Sequence, residues 1–568
     1  MNIQTKTKNQ NTYDAIVIGS GISGGIAAKE LCEKGLKTLV LERGRDVKHI
    51  EDYPTALFNP WDAAHRGRKS LKDLKENPIV NKCYAYDEFT SQFFVKDTEQ
   101  AYIQEKPFDW IRGYQVGGKS LIWARQTQRW SDYEFEGPAR DGFAVDWPIR
   151  YNDLAPWYSY VEKFAGISGN RDGIESLPDG EFLKAWELNC LEKHIQKRVA
   201  ESYQDRQVII GRCAHLTDPQ EHHLAAGRSQ CQARHLCYRG CPFGAYFSSN
   251  SASLPAAAAT GNLTLRTDSV VTNIIYDDQK EKATGVKVID RLSFEEHEYF
   301  AKIIFVNAAC LNSNALLLNS KSSRFPEGLG NENGHMGKFI AFHQYRGQGN
   351  AQFEGFEDQY YFGRRPTSAF MPSFRNLKKQ EMDFQRGYMV AFSASRVKGV
   401  ASPDSFGTSL KNAASEVGPW QVYIQMQGET IPKESNHIRL SDTQKDIWGM
   451  PKLIMHIDYD DNDHKMMLDF QEQASEMLHK SGAKTINMFD SKQNPGLDIH
   501  EMGGVRMGKD PKTSLLNEWN QLHACKNVFV TDGACMTSVG NQNPSLTFMA
   551  LTARAANFAV EQMKKLEL

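Results

Sequence analysis

The chain has 568 residues, 40% hydrophobic and 24% charged, and its 67 Lys and Arg against 69 Asp and Glu leave a formal charge of −2. That length exceeds the roughly 250 to 300 residues at which one core stops growing, which predicts two domains or one heavily elaborated α/β unit. The balanced charge lacks the overall footprint of a nucleic-acid binder, and no stretch approaches the roughly 18 consecutive apolar residues that a membrane span requires.

In chain order, a short polar leader runs into residues 13–19, YDAIVIG, whose β-branched and apolar text suits a buried parallel strand. Residues 22–34 then read as a helix that Gly35 stops, and 36–42 as a second strand, which completes a βαβ unit. Gly19, Gly21 and Gly24 stand as GSGISG between strand and helix, and Glu42 ends the next strand. In that setting Gly19 permits the tight turn, Gly21 lets a pyrophosphate approach the backbone, Gly24 packs helix on strand, and Glu42 accepts from a ribose hydroxyl. FAD and NAD both use this fingerprint. A second glycine pair, Gly117 and Gly118 in GYQVGGKSLIW, is suited to lie against a flavin or its phosphates.

From about Trp147 the text WPIRYNDLAPWYSYVEKF predicts a helix, and a long irregular region follows to about residue 260. Within it, Cys231, Cys237 and Cys241 cluster in CQARHLCYRGCPFGA; the other seven of the ten cysteines are scattered, too few for a disulfide scaffold. Strand text returns in LTLRTDSVVTNIIYD, TGVKVID and KIIFVNAA. Residues 338–490 contain alternating segments such as QVYIQMQ and NHIRLS, suited to a sheet with one wet face. Gln421, Gln425 and Gln427 fall on the polar face of QVYIQMQ, which either meets sugar hydroxyls or is simply solvated. Lastly NVFVTDGACM and PSLTFMALTARAANFAVEQMKK read as strand, turn and long helix.

The expected fold is therefore α/β (α+β): a Rossmann-like dinucleotide domain, discontinuous over 1–337 and 491–568, with a cysteine-loop insertion at about 205–255. A substrate-binding domain on an antiparallel or mixed sheet would occupy 338–490.

His500 sits in IHEMGGVRMG, and Asn543 in GNQNPSLT. A hydride leaves an alcohol carbon easily only when the hydroxyl proton is removed, which calls for a neutral base. His500 suits that role, Asn543 is suited to bond the same oxygen, and Asp532 and Gly533 to meet the flavin side chain or phosphates.

The fingerprint at Gly19, the GGKS pair, HEMGGVRMG and VTDG…NPSLT occur in the order found in the glucose-methanol-choline (GMC) oxidoreductases, and the chain resembles their bacterial sugar-dehydrogenase and pyranose-oxidase-like branch from residue 13 to about 563. The resemblance implies FAD rather than NAD, places the catalytic base on His500 and its partner on Asn543, and adds Trp123 to the cofactor-binding set. Some relatives attach FAD covalently through a His at the position held here by Ile122, so noncovalent FAD is expected. The three-cysteine loop resembles that of FAD-dependent glucose dehydrogenase catalytic subunits, which carry a [3Fe-4S] cluster. Zinc, with His235 as a fourth ligand, and plain thiols are the alternatives.

The implied reaction is oxidation of a secondary hydroxyl of a sugar or glycoside to a keto-sugar, of the glucoside 3-dehydrogenase kind, with electrons leaving through the cluster to an external acceptor. The alternatives are an oxidase using O₂ without a functional cluster, and a cofactor-bearing subunit without turnover. The resemblance also implies a small partner subunit, in relatives the carrier of the export signal, and in some cases a cytochrome subunit. The leader shows no signal peptide, so the expected location is cytoplasmic, or periplasmic if co-exported with a partner.

Overall fold

Residues Thr12–Ile18 form the first strand because its apolar side chains find cover on both faces, as a parallel strand between packed layers requires. Ile16 and Ile18 enter one core, and Ala15 and Val17 enter another on the opposite face. The computed structural model describes residues 11–359, 361, 365–398 and 405–568. Cys525–Val530, Glu296–Val306, Thr12–Ile18, Thr38–Leu41 and Leu263–Arg266 lie side by side in that order, all parallel. Ser269–Asp277, Lys282–Asp290 and Gln521–Leu522 add antiparallel strands to complete an eight-stranded sheet.

Helix Ile22–Glu33 links the first two strands. It ends at Gly35, whose φ of +89° lets Leu36 N–H reach the Leu31 carbonyl at 3.1 Å and close the last turn. Helix Ser545–Lys564 packs against it, bringing the distal part of the chain back to the first sheet.

The second sheet has seven antiparallel strands: Thr485–Asp490, Gly347–Phe353, Val417–Glu429, Tyr388–Lys398, Ala369–Met371 and Ile209–Ile210 in order, with His343–Gln344 beside Val417–Glu429. Val422, Ile424 and Met426 face helix Asp461–Lys480, which buries Met466, Phe470, Ala474 and Met477 at helical spacing. Tyr423, Gln425 and Gln427 alternate to the opposite face and line a cleft shared with the first domain.

The chain passes between the two sheets and their cores more often than its text predicts. Ile209–Ile210 and helix Cys190–Ser202, from the range expected in the first domain, join the second sheet and its core. His437–Lys445 and Pro451–His456, from the block expected in the second, instead form a three-stranded sheet with Ile103–Gln104 and bury Ile438, Leu453 and Met455 in the first core. Two-residue strands such as Ile103–Gln104 are too short to carry a period, and the alternation of His437–Lys445 marks a strand without saying which sheet it joins.

Buried Arg386 clamps the second sheet to helix Asp132–Asp141, donating to Glu429 Oε2 at 2.9 Å, Asp141 Oδ2 at 2.8 Å and the Tyr133 carbonyl at 3.0 Å. No helix among the described residues is long and apolar enough to cross a membrane.

Candidate active site

The cleft encloses about 1150 Å³, more than the roughly 300 to 1,000 Å³ of a drug-sized ligand site. The glycine fingerprint forms one end. Gly19 holds φ +98°, and a Cβ there would lie 2.3 Å from the Asn307 carbonyl oxygen, so no other residue fits the turn. Gly24 packs on the Gly19 carbonyl. Gly21 opens helix Ile22–Glu33 with no side-chain cap, and a Cβ on it would meet nothing within 4 Å, so backbone and helix N-terminus face open cleft where a pyrophosphate would lie.

The second glycine pair comes to the same place. Gly118, at φ +50°, approaches Gly21 so closely that its Cβ would stand 3.4 Å from the Gly21 Cα, and Gly117 N–H donates to Ser20 Oγ at 3.0 Å. Ser20 in turn donates to Glu42 Oε2 through N–H (3.1 Å) and Oγ–H (2.5 Å), while Gly44 N–H reaches Oε1 at 2.9 Å. A carboxylate has about four acceptor positions, so three donors leave Glu42 one for a ribose hydroxyl.

Further along, Ile122 and Trp123 line the cleft, with Trp123 Nε1–H on the Phe247 carbonyl at 2.9 Å. Asp532 accepts from Ala534 N–H at 2.9 Å and Ser313 Oγ–H at 2.5 Å, and burial pushes its carboxyl up to about 6. Gly533 lies under the loop of His500, its Cβ position 2.5 Å from the Glu501 carbonyl oxygen. Every fingerprint, loop and distal residue expected to hold a dinucleotide thus lies in or directly behind one cleft.

His500 and Asn543, 43 residues apart in sequence, meet there, with Asn543 Nδ2 3.4 Å from His500 Nε2. The proton positions follow from the chain of partners behind them. His343 Nε2 lies 2.9 Å from the Gly540 carbonyl, which only accepts, so Nε2 carries the proton and Nδ1 of that neutral ring is a lone pair. His500 Nδ1, 2.9 Å from His343 Nδ1, must then be the donor. His500 Nε2 is left as a lone pair turned toward Asn543 and the cleft. Burial, then His343, then Lys119 hold the His500 pKa well below the ordinary 6.5, and burial pushes His343 down to about 3, so both rings are neutral.

Asp498 fixes this pair from beneath, accepting from His343 N–H at 3.1 Å and His500 N–H at 3.0 Å on one oxygen. Between them Ile499, a β-branched residue, is held at φ +66°, a costly conformation sustained by those bonds. Tyr345 O–H donates to Gln427 Oε1, and Gln427 Nε2–H to the Asn541 carbonyl at 2.7 Å, which ties the second sheet to the Asn543 loop. Nothing in the sequence marks His343 or Asp498 as part of the site: both are isolated in unremarkable text, and folding alone joins them to His500. Of the three glutamines, Gln425 and Gln427 line the cleft, Gln425 directly opposite Gln348; Gln421 does not.

Cys231, Cys237 and Cys241 are half-buried beside the cleft. Burial, with Cys237 and Cys241 nearby, pushes the Cys231 thiol up to about 11. Among the described residues, the set of three ligand-type side chains with donor atoms all within 4.8 Å lies elsewhere, so the three sulfurs are not all that close to one another, as tetrahedral zinc would need. Two buried guanidiniums flank the loop. Arg125 donates to the Trp123 and Pro366 carbonyls and lies over the Tyr238 and Tyr246 rings; Arg228 donates to the carbonyls of Gly244, Phe164 and Ala165. Neither has a carboxylate partner among the described residues, and Cys237 lies in the neighbourhood of Arg125 and Cys241 in that of Arg228.

The chain matches the GMC oxidoreductase family over residues 13–344 and 432–552. It belongs to that family. As a GMC enzyme it is an FAD-dependent oxidoreductase acting on CH–OH donors, and the cradle around Gly21 and Gly118 fits that cofactor. It is 27% identical to 2-methyl-1,2-propanediol dehydrogenase of Mycolicibacterium austroafricanum, over 97% of this chain and 96% of that protein. It is 24% identical to the fructose dehydrogenase large subunit of Gluconobacter japonicus, over 97% and 98%. Among solved structures, pyridoxine 4-oxidase from Mesorbium loti shares the fold with a TM-score of 0.62 at 18% identity, over 96% of this GMC chain and 98% of that one.

Proposed function

We propose that this enzyme oxidises a secondary hydroxyl of a sugar or glycoside to a keto-sugar, with noncovalent FAD and with electrons leaving through a [3Fe-4S] cluster on Cys231, Cys237 and Cys241 to an external acceptor. The observation that carries the proposal is the lone pair on His500 Nε2, presented to the cleft by the bonds from Gly540 through His343. A substrate hydroxyl donates to that nitrogen, and Asn543 Nδ2–H binds the same oxygen. The Asn543 carbonyl oxygen is buried without a protein partner and is available to a second hydroxyl. As the carbon is oxidised its hydroxyl proton passes to Nε2, while Nδ1–H stays bonded to His343. FAD, when bound, supplies the two-electron acceptor. Gln348, Gln425 and Tyr345 on the facing sheet are placed to orient the remaining hydroxyls.

The cluster is supported by charge: two buried guanidiniums without carboxylates favour a group carrying negative charge at the loop. A companion subunit is supported by the relative that is named as a large subunit. Export in company with such a partner would make the enzyme periplasmic.

A panel of sugars and glycosides, followed by flavin bleaching with product NMR, tests the substrate class; bleaching by none of them overturns it. Iron and acid-labile sulfide in anaerobically purified protein test the cluster. Their absence, together with peroxide formation under air, would identify a plain oxidase.

A further inference from the structure

The three-stranded sheet of Ile103–Gln104, His437–Lys445 and Pro451–His456 carries a row of ligand-type side chains away from the cleft. His437 pairs directly with His456 across the antiparallel strands, and the parallel register of Ile454 with Ile103 and Met455 with Gln104 brings Glu105 beside His456. The two imidazoles stack with centroids 5.0 Å apart and 13° between their planes. One donor atom from each of Glu105, His437 and His456 lies within 4.8 Å of the other two.

The donors are also oriented from behind. His437 Nδ1–H donates to the Ser435 carbonyl at 2.9 Å, which leaves Nε2 as a lone pair. Arg439 holds Glu105 Oε1, and Glu105 Oε2 lies 3.3 Å from His456 Nδ1. We propose that Glu105, His437 and His456 form a surface site for a divalent transition metal of the zinc class, with water completing the coordination. Two imidazoles and a carboxylate suit Zn²⁺, which binds them at roughly 2.0 to 2.2 Å. The His456 and Glu105 side chains are 38% and 36% exposed, so an ion reaches them from solvent. Because Glu105 follows Tyr102 and precedes Trp110, both in the cleft wall, the bound metal ties that wall to the strands beneath it.

Calorimetric titration of the whole protein with Zn²⁺ is expected to show one ion that is absent in the His437→Ala/His456→Ala variant and bound at least about tenfold more weakly in Glu105→Gln. Co²⁺ at this site should lack the thiolate charge-transfer band that binding at Cys231, Cys237 and Cys241 would give. Unchanged Zn²⁺ stoichiometry in the double variant, no binding by the wild type, or Co²⁺ spectra showing thiolate coordination alone would overturn the proposal.

Discussion

At His500 the decisive quantity is which ring nitrogen bears the proton, and that is set by His343 and Gly540. Replacing His500 with Ala removes the base and should slow flavin reduction by roughly 10² to 10⁴ fold while FAD stays bound. His343→Ala leaves the base in place but lets its tautomer vary, so a loss of roughly 10 to 10² fold is expected, with partial rescue by His343→Asn, whose amide oxygen can accept from His500 Nδ1. Stopped-flow reduction by substrate measures both, and wild-type rates in either variant would remove it from its assigned role. Because His500 titrates well below 6.5, the reduction rate should not fall as pH drops through 6.5, only at more acid values. The same two imidazoles take up protons near 6.5 when unfolded but not when buried, so they add stability above that pH and lose it on acidification. Ile122 offers no nucleophile to the flavin, and acid precipitation should therefore release all FAD into the supernatant. His500 and Asn543 were legible because each lies in a characteristic string. His343 was not, since it lies 157 residues from its partner and a lone histidine in a strand usually belongs to the core.

Among the elements, the first strand, turn and helix were readable because their cause is local: apolar text, three glycines at fixed spacing and a stop at Gly35. The structure separates what each glycine does. Gly21→Ala adds a methyl to open space, so the apoprotein should melt unchanged while FAD binds at least about tenfold more weakly. Gly19→Ala drives a Cβ into the Asn307 carbonyl at positive φ and should lower the melting temperature of the apoprotein itself. Differential scanning of the two apoproteins, with FAD titration of each, distinguishes cofactor contact from fold. The glutamine strand shows the opposite limit of a local reading. Alternation places Gln421, Gln425 and Gln427 on one face, but only packing of helix Asp461–Lys480 on the other face decides that this one borders the cleft.

For the whole molecule, the α/β plan of two sheets was legible from the order of strand and helix text, whereas the traffic between them was not, because alternation marks a strand without naming its sheet and other ties are single buried ions. Arg386 is one such ion. Arg386→Met leaves Glu429 without its partner in the interior, which should cost about 3 to 5 kcal/mol and lower the thermal midpoint; the double replacement Arg386→Met/Glu429→Leu should recover much of that loss. Equal midpoints for the single variant and the wild type would show that the clamp contributes nothing. The central sheet has a further consequence for biosynthesis. Its first strand needs neighbours at Glu296–Val306 and its outer parallel partner only arrives at Cys525–Val530. At ribosomal speeds of about 5 to 20 residues per second, the nascent cofactor cradle waits roughly half a minute to two minutes for those segments. Flavin loading into the completed sheet is therefore expected only when translation is nearly finished, and chaperones have that interval in which to shield the unfinished sheet.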